Sequence, residues 1–328
     1  MKEILNRLYR GENLTRSEAK QTLLNISAEQ YNNEQVASFI TAYLMRDITY
    51  RELAGFRDAM LELCVRIDLA GRQTVDIVGT GGDGKDTFNV STCAAFLIAG
   101  AGYQVTKHGS YGVSSSSGSS DVLMALGYKF KSDQELLINE LDKVGITFFH
   151  APLFHPAMKA VVPIRKALGV KTFFNMLGPL VNPAQPDYQL FGTFSLPILS
   201  LYRDILRGDG KKFTAVYALD GYDEVSLTGT VKVVRPDTEE LLRPQDFGLP
   251  KYQLKDLYGG STVAEAKKIF VNILTGNGTP AQNDAVAANA GLAIQTVKPE
   301  TSLRDCVAEA KESLQSGSAY RILQKLTK

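Results

Sequence analysis

The 328-residue chain is long enough for one large domain or two smaller ones, and its 44% hydrophobic and 22% charged content is ordinary for a globular protein. Its 36 basic and 35 acidic residues leave a net charge of +1. That balance gives no overall basic footprint for nucleic acid or a membrane surface and leaves room only for a local patch.

The N-terminus, Met1-Lys2-Glu3-Ile4-Leu5, does not read as a signal peptide, because no apolar core follows its charged pair. No apolar run approaches the ~18 residues needed to span a bilayer. Cys64, Cys93 and Cys306 lie far apart in apolar segments without CxxC spacing, so they read as small buried hydrophobes in a reducing compartment. A cytoplasmic protein is expected.

Residues 1 to about 68 read as helices. Thr15-Arg16-Ser17-Glu18 and Thr49-Tyr50-Arg51-Glu52 are capping boxes. Val36, Phe39, Ile40, Tyr43 and Leu44 recur at helical spacing, as do Leu53, Phe56, Met60, Leu61 and Cys64. Four short helices cannot bury all these faces alone, so some should meet a larger domain or another subunit.

From about residue 73, β-branched runs alternate with helical stretches. Strands are predicted at Val75–Val78, Gln104–Thr106, Thr147–Phe149, Thr214–Leu219 and Val231–Arg235. The fold class is therefore α/β: a small all-helical N-terminal domain and a larger domain with a mostly parallel central sheet flanked by helices. Ile164–Gly169 reads as helix, and Asn175–Pro183 is full of turn formers. Thr279-Pro280 should start an apolar helix over Ala281–Ile294.

Residues 76 to 121 concentrate the chemistry. Gly79-Thr80-Gly81-Gly82-Asp83-Gly84 has four glycines in six residues, and seven of the eleven residues from Ser110 to Ser120 are serine. The order reads as strand, glycine loop, helix, strand, serine loop, helix. Loops dense in N–H groups, hydroxyls and helix N-termini hold phosphates.

Two nucleotide motifs fit the glycine loop only in part. Gly79-x-Gly81-x-x-Gly84 matches the dinucleotide fingerprint, but the acid expected about 20 residues on is missing from Ala99–Tyr103. Gly79-x4-Gly84-Lys85 approaches the P-loop, but Asp86 stands where Ser or Thr should reach magnesium. Further on, Asp223-Glu224-Val225-Ser226-Leu227-Thr228-Gly229 has the spacing of a phosphoribosyl pyrophosphate loop. Asp220-Gly221-Tyr222 separates it from the strand that should precede it directly.

Taken together these stretches resemble the anthranilate phosphoribosyltransferases. The resemblance rests on Gly79–Gly84 with Thr87–Thr92, and on Lys107-His108-Gly109 with Ser114, Ser115, Gly118 and Ser119. It continues through His155–Lys159 with Pro163-Ile164-Arg165 and Leu168-Gly169, then Asn175–Leu180 with Asn182-Pro183, and ends at Asp223-Glu224. It implies a glycosyltransferase that moves phosphoribose from phosphoribosyl pyrophosphate to the amine of anthranilate in tryptophan biosynthesis. It also implies Mg²⁺, two ions of it, and a homodimer joined through the helical domains. Residues 1–70 would form the helical domain and 71–328 the α/β domain, with the segment at about 165–185 packing back near the former.

The same resemblance distributes roles. Gly79, Gly82, Asp83, Thr87, Asn89, Val90, Ser91, Thr92, Lys107, His108, Gly109, Ser114, Ser115 and Ser119 would bind phosphoribosyl pyrophosphate. Gly79, Ser110, His155 and Arg165 would bind anthranilate, Arg165 meeting its carboxylate through a planar guanidinium. Asp223, Glu224 and Ser91 would hold the metal. Two roles stay open for His108: late acceptance of a proton, or a structural part. One departure stands out. The family reads Lys-His-Gly-Asn-Arg where this chain reads Lys107-His108-Gly109-Ser110-Tyr111, so the shorter Ser110 puts acceptor affinity or identity in question. A pyrimidine nucleoside phosphorylase-like enzyme and a non-catalytic nucleic-acid-binding relative are the alternatives. The Asp223-Glu224 pair disfavours both, and the neutral charge balance disfavours the second.

Overall fold

The computed structural model describes residues 1–112 and 117–327. Four helices come first: α1 (Lys2–Tyr9), α2 (Arg16–Ser27), α3 (Asn33–Ala42) and α4 (Tyr50–Glu62). Both expected capping boxes form, at Thr15 with Glu18 and at Thr49 with Glu52, and a third, Asn32 with Gln35, opens α3. The alternating part runs β1 (Val75–Gly79), α5 (Val90–Gly100), β2 (Val105–Gly109), α6 (Ser119–Ala125), α7 (Gln134–Val144) and β3 (Ile146–His150). Three short helices follow: α8 (Ala151–Phe154), α9 (Val162–Leu168) and α10 (Phe174–Leu177). The chain then makes β4 (Tyr188–Gly192), α11 (Leu196–Gly208), β5 (Lys212–Ala218), and the hairpin of β6 (Val231–Val234) and β7 (Glu239–Leu242). It finishes with α12 (Val263–Leu274), α13 (Pro280–Val297), α14 (Leu303–Gln315) and α15 (Ser318–Leu326).

These elements form two compact units, Met1–Ile67 with Ala151–Pro183, and Asp68–His150 with Ala184–Lys328. The first is helical. Phe39, Tyr43 and Phe56 meet edge to face, and Phe173, from the later segment, stacks on Phe56 with centroids 4.5 Å apart. The returning segment is longer than the 165–185 expected from sequence. Its two ends are bonded to the end of the first segment, Val65 N–H to the Phe154 carbonyl at 2.9 Å and Ile67 N–H to the Pro183 carbonyl at 3.2 Å. Fully buried Glu52 is satisfied from several sides, by Leu14 N–H, the Tyr43 hydroxyl, Thr49 and Arg46.

The second unit is built on a seven-stranded sheet of order β3-β2-β1-β4-β5-β6-β7. The first five in that order are parallel, and β6 and β7 are antiparallel additions at one edge. Helices α5 and α13 are buried almost throughout, which suits their Ala-, Val- and Leu-rich sequences. Phe96 of α5 packs on Phe148 of β3 and Phe270 of α12. After β1 the chain builds outward through β2 and β3, then returns to lay β4 on the other side of β1 and continue to β5. The strand order therefore reverses between β1 and β4. Ligands of open α/β sheets bind beyond the strand C-termini at such a switch point.

Candidate active site

Gly79 ends β1 and Gly192 ends β4, and the two are paired across the sheet. Neither has room for a side chain. A Cβ on Gly79 would overlap the Asp223 carboxylate, and one on Gly192 would overlap the Asp223 carbonyl. The two glycines make the slot in which Asp223 sits, five residues past the end of β5. Gly81 N–H donates to Asp223 Oδ2 at 2.6 Å, and the Thr80 hydroxyl lies 3.5 Å from the same oxygen. Gly81, Gly82 and Gly84 take φ of 64°, 76° and 72°, a left-handed backbone that side chains disfavour. Asp83 caps its own turn, Oδ1 accepting from Lys85 N–H at 3.1 Å. Thr87 makes an isolated antiparallel bridge with Tyr258.

The acids here are held in an environment that resists their charge. Burial and the neighbouring Asp83 push the Asp223 carboxyl up to about 7. Burial, Asp223 and Asp83 together push Glu224 well above the usual carboxylate range. Glu224 Oε1 accepts from Ser91 N–H at 3.3 Å near the start of α5, whereas Oε2 is buried without a hydrogen-bond partner. The positive group in this cluster is Lys107. It is buried inside β2. Its ammonium donates to the Ile77 carbonyl at 2.5 Å and to Ser91 Oγ at 3.3 Å. Burial draws its pKa down, against the pull of Asp76 and Glu224. His108 follows in the same strand, also buried, with its N–H 3.3 Å from Asp76 Oδ1.

Asn89 precedes α5, but its side chain caps no N–H of that helix. Instead Nδ2 donates to the Ser117 carbonyl at 3.1 Å, tying the end of the glycine loop to the serine loop. Val90 and Thr92 are buried in the first turn of α5. At the serine loop, the Ser110 carbonyl accepts from Ser120 N–H at 3.1 Å and from Ser119 Oγ at 3.3 Å. Gly109 stands so close to Ser119 that a Cβ would overlap its hydroxyl. Ser114 and Ser115 lie outside the described residues.

His155 and Arg165 belong to the helical unit. His155 is buried, and burial pulls its imidazole down to about 4, only partly offset by a backbone hydrogen bond involving Val181, so it is neutral at pH 7. Arg165, on α9, lies over the Phe174 ring at 5.3 Å and donates to Asn175 Oδ1 at 3.4 Å. Burial lowers its pKa, and among the described residues no carboxylate is paired with it. A half-buried guanidinium in that state suits a planar anionic group.

Sequence reading missed several residues that shape the site. Asn289 of α13 holds both backbone polar groups of Val225, next to Glu224. Its signal was the one amide within the apolar run Ala285–Ile294, where a buried polar group must have a partner. Asp76 is fully buried in β1 beside β2. Asp121 Oδ2 accepts from Gly112 and Gly118 N–H, at 2.9 and 2.8 Å, across the neck of the serine loop.

Hard carboxylate oxygens, one of them unpartnered, fit a divalent cation. Among the described residues no three His, Cys, Asp or Glu side chains are gathered to hold one unaided. Magnesium sites characteristically combine one or two carboxylates with water and ligand phosphates, and the arrangement agrees with that pattern.

Residues 2–64 match the glycosyl transferase family, helical bundle domain, and residues 71–320 the glycosyl transferase family, a/b domain. The chain is 52% identical to the anthranilate phosphoribosyltransferase of Christiangramia forsetii, over all of this chain and 99% of that relative. It is 51% identical to that of Cytophaga hutchinsonii over the whole of both. Among solved structures it is similar to the anthranilate phosphoribosyltransferase of Thermus thermophilus, with 35% identity, a TM-score of 0.92 and 98% of each chain covered. It is also similar to that of Saccharomyces cerevisiae in complex with PRPP and Mg, with 28% identity, a TM-score of 0.91 and 98% and 95% covered.

Proposed function

The chain belongs to the anthranilate phosphoribosyltransferase family, and we infer from its strand-end site how it carries out the family's reaction. That reaction transfers phosphoribose from 5-phosphoribosyl 1-pyrophosphate to the amine of anthranilate and releases pyrophosphate, the second step of tryptophan biosynthesis from chorismate. As the bond from the anomeric carbon to pyrophosphate breaks, negative charge gathers on the leaving group and positive charge on the ribose. Positioning and electrostatics are therefore needed more than a covalent partner.

Gly79 to Gly82 bring bare backbone to the diphosphate, supported by the left-handed turn that only glycine adopts freely. Asp83 takes a ribose hydroxyl. Lys107, with Thr87, Asn89, Ser91 and Thr92 at the start of α5 and the Ser119 hydroxyl, receives the phosphates. Asp223, Glu224 and Ser91 would hold Mg²⁺, which the yeast relative binds together with phosphoribosyl pyrophosphate. Bound there, Mg²⁺ would supply charge neutralisation for the departing pyrophosphate. We propose two ions, as the resemblance to the family implies.

For the acceptor, Arg165 binds the anthranilate carboxylate, while neutral His155 and Ser110 make polar contacts to the ring substituents. The aromatic amine is neutral at pH 7 and needs no base before it attacks. Once the C–N bond has formed, the nitrogen must shed a proton, and His108 takes it.

The observation that carries this reading is the Asp223–Glu224 pair at the switch point, with Asp223 buried and one buried Glu224 carboxylate oxygen unpartnered. Anthranilate fluorescence should fall when the protein is given phosphoribosyl pyrophosphate and Mg²⁺. No loss at any acceptor concentration would sink it.

We further propose a homodimer joined through the helical unit. Tyr9 is 63% and Met45 82% exposed beside a groove of about 530 Å³ lined by Leu8, Ala37, Thr41 and Arg46. Met45→Glu should halve the mass seen by sedimentation, and an unchanged mass counts against this interface. Three free thiols suit a reducing compartment, and we assign the protein to the cytoplasm. Among the described residues no helix is long and apolar enough to cross a membrane.

A further inference from the structure

His150 ends β3 and is paired with Gly109 at the end of β2. Its side chain plays no part in the roles given above, yet it is 6% exposed and held from three directions. Nδ1 lies 2.8 Å from the hydroxyl of Ser120, which is itself buried. Phe130 stacks on the ring with centroids 4.7 Å apart and planes at 24°. Tyr111 meets it edge-on, again at 4.7 Å, with planes at 83°. Tyr111 and Ser120 stand at opposite ends of the serine loop.

The two ends are closed on each other at that point. Ser120 N–H donates to the Ser110 carbonyl, and the Asp121 carboxylate accepts from Gly112 and Gly118. Gly118 comes so near that a Cβ would overlap the Gly112 nitrogen and the Ser110 carbonyl. His150 reaches this neck from a separate strand and grips both sides of it. A hydrophobic ring would fill the same slot. The imidazole adds a hydrogen bond that fixes both its own rotation and the Ser120 hydroxyl.

We propose that His150 is a positioning residue for the acceptor subsite: by bonding Ser120 and packing Tyr111 it sets the neck of the serine loop, and with it the place of Ser110. The proposal rests on the acceptor role given to Ser110. Neither His150 nor Ser120 touches substrate in it. Their loss should therefore weaken acceptor binding and leave the chemical step alone.

Steady-state kinetics with fixed, saturating phosphoribosyl pyrophosphate and Mg²⁺ test it. His150→Ala and Ser120→Ala should each raise the anthranilate KM by about tenfold, with kcat held within about twofold. His150→Asn keeps a polar atom within reach of Ser120 and should recover most of the loss. Should His150→Ala not fold, Ser120→Ala and Tyr111→Leu carry the same expectation, each removing one contact. An unmoved KM in these variants, or a fall in kcat that merely tracks lowered thermal stability, overturns the role of His150. Absence of turnover by the unmodified protein overturns the anthranilate reading and this role together. Turnover with an unmoved KM overturns this role alone.

Discussion

Asn289 and Val225 form a closed amide–backbone pair: Asn289 Oδ1 accepts from Val225 N–H at 3.0 Å, and Nδ2 donates to the Val225 carbonyl at 2.9 Å. Nδ2 also donates to the Ala285 carbonyl, one turn earlier in the same helix. The segment carrying Asp223 and Glu224 has no strand or helix of its own to hold it, so this clasp fixes where the acids point. Asn289→Leu would leave both Val225 groups buried and unpaired. It should cost about 3 kcal/mol in urea unfolding. It should also raise the Mg²⁺ concentration needed for half-maximal activity. A variant with normal Mg²⁺ dependence would show that Val225 is held well enough without it.

Gly192 is a test of the slot itself. A methyl group added here would occupy the position of the Asp223 carbonyl, and the strand cannot yield because it is paired on both sides. Gly192→Ala should lower kcat/KM for phosphoribosyl pyrophosphate by about a hundredfold, the scale expected when a site is displaced by about 1 Å. Circular dichroism should still report a folded protein. Near-normal kinetics would mean that Asp223 is not placed by this contact.

The glycine loop, α5 and β2 were readable because turn formers and β-branched runs mark them locally. The same kind of signal fails for β4, the central strand. Tyr188 to Gly192 is five residues long, buried on every side chain and preceded by Pro183 and Pro186, so no alternation betrays it. The edge strand β7, Glu239–Leu242, looks like a charged loop because two of its side chains are exposed. The residue types of the site could be read, but not the partners of Asn89 or the burial of Lys107. Those depend on Ser117 and Ile77, which only folding brings near. Phe173 is similar: nothing in its neighbourhood indicates that its ring completes a cluster with Phe39 and Phe56.

His155 makes stability depend on pH in a stated direction. Burial lowers its imidazole from an ordinary 6.5 to about 4, so between these values the unfolded chain binds a proton that the folded chain refuses. Its contribution is fully present above about pH 6.5 and is lost as pH falls through 4, by roughly 3 kcal/mol over the whole window. Urea midpoints measured from pH 7 to pH 4 should fall less steeply for His155→Gln than for the unmodified protein. Equal slopes would place the buried proton refusal elsewhere.

Ser110 is the proposed acceptor residue at which the resemblance to the family motif breaks, and the structure narrows what a change there can do. Its carbonyl is fixed by Ser120 N–H and by Ser119 Oγ, so a new side chain at this position would not move the backbone. Ser110→Asn therefore adds reach and an amide without disturbing the neck of the loop. If the acceptor lies against this residue, the anthranilate KM should fall by about threefold to tenfold, the yield of one neutral hydrogen bond, while the KM for phosphoribosyl pyrophosphate stays put. Competition with anthranilate analogues lacking the carboxylate would separate this contact from that of Arg165, since the benefit of the longer amide side chain should survive that truncation. An anthranilate KM that does not move would mean that His155 and Arg165 already hold the acceptor unaided, and that the shorter side chain of Ser110 costs this enzyme nothing.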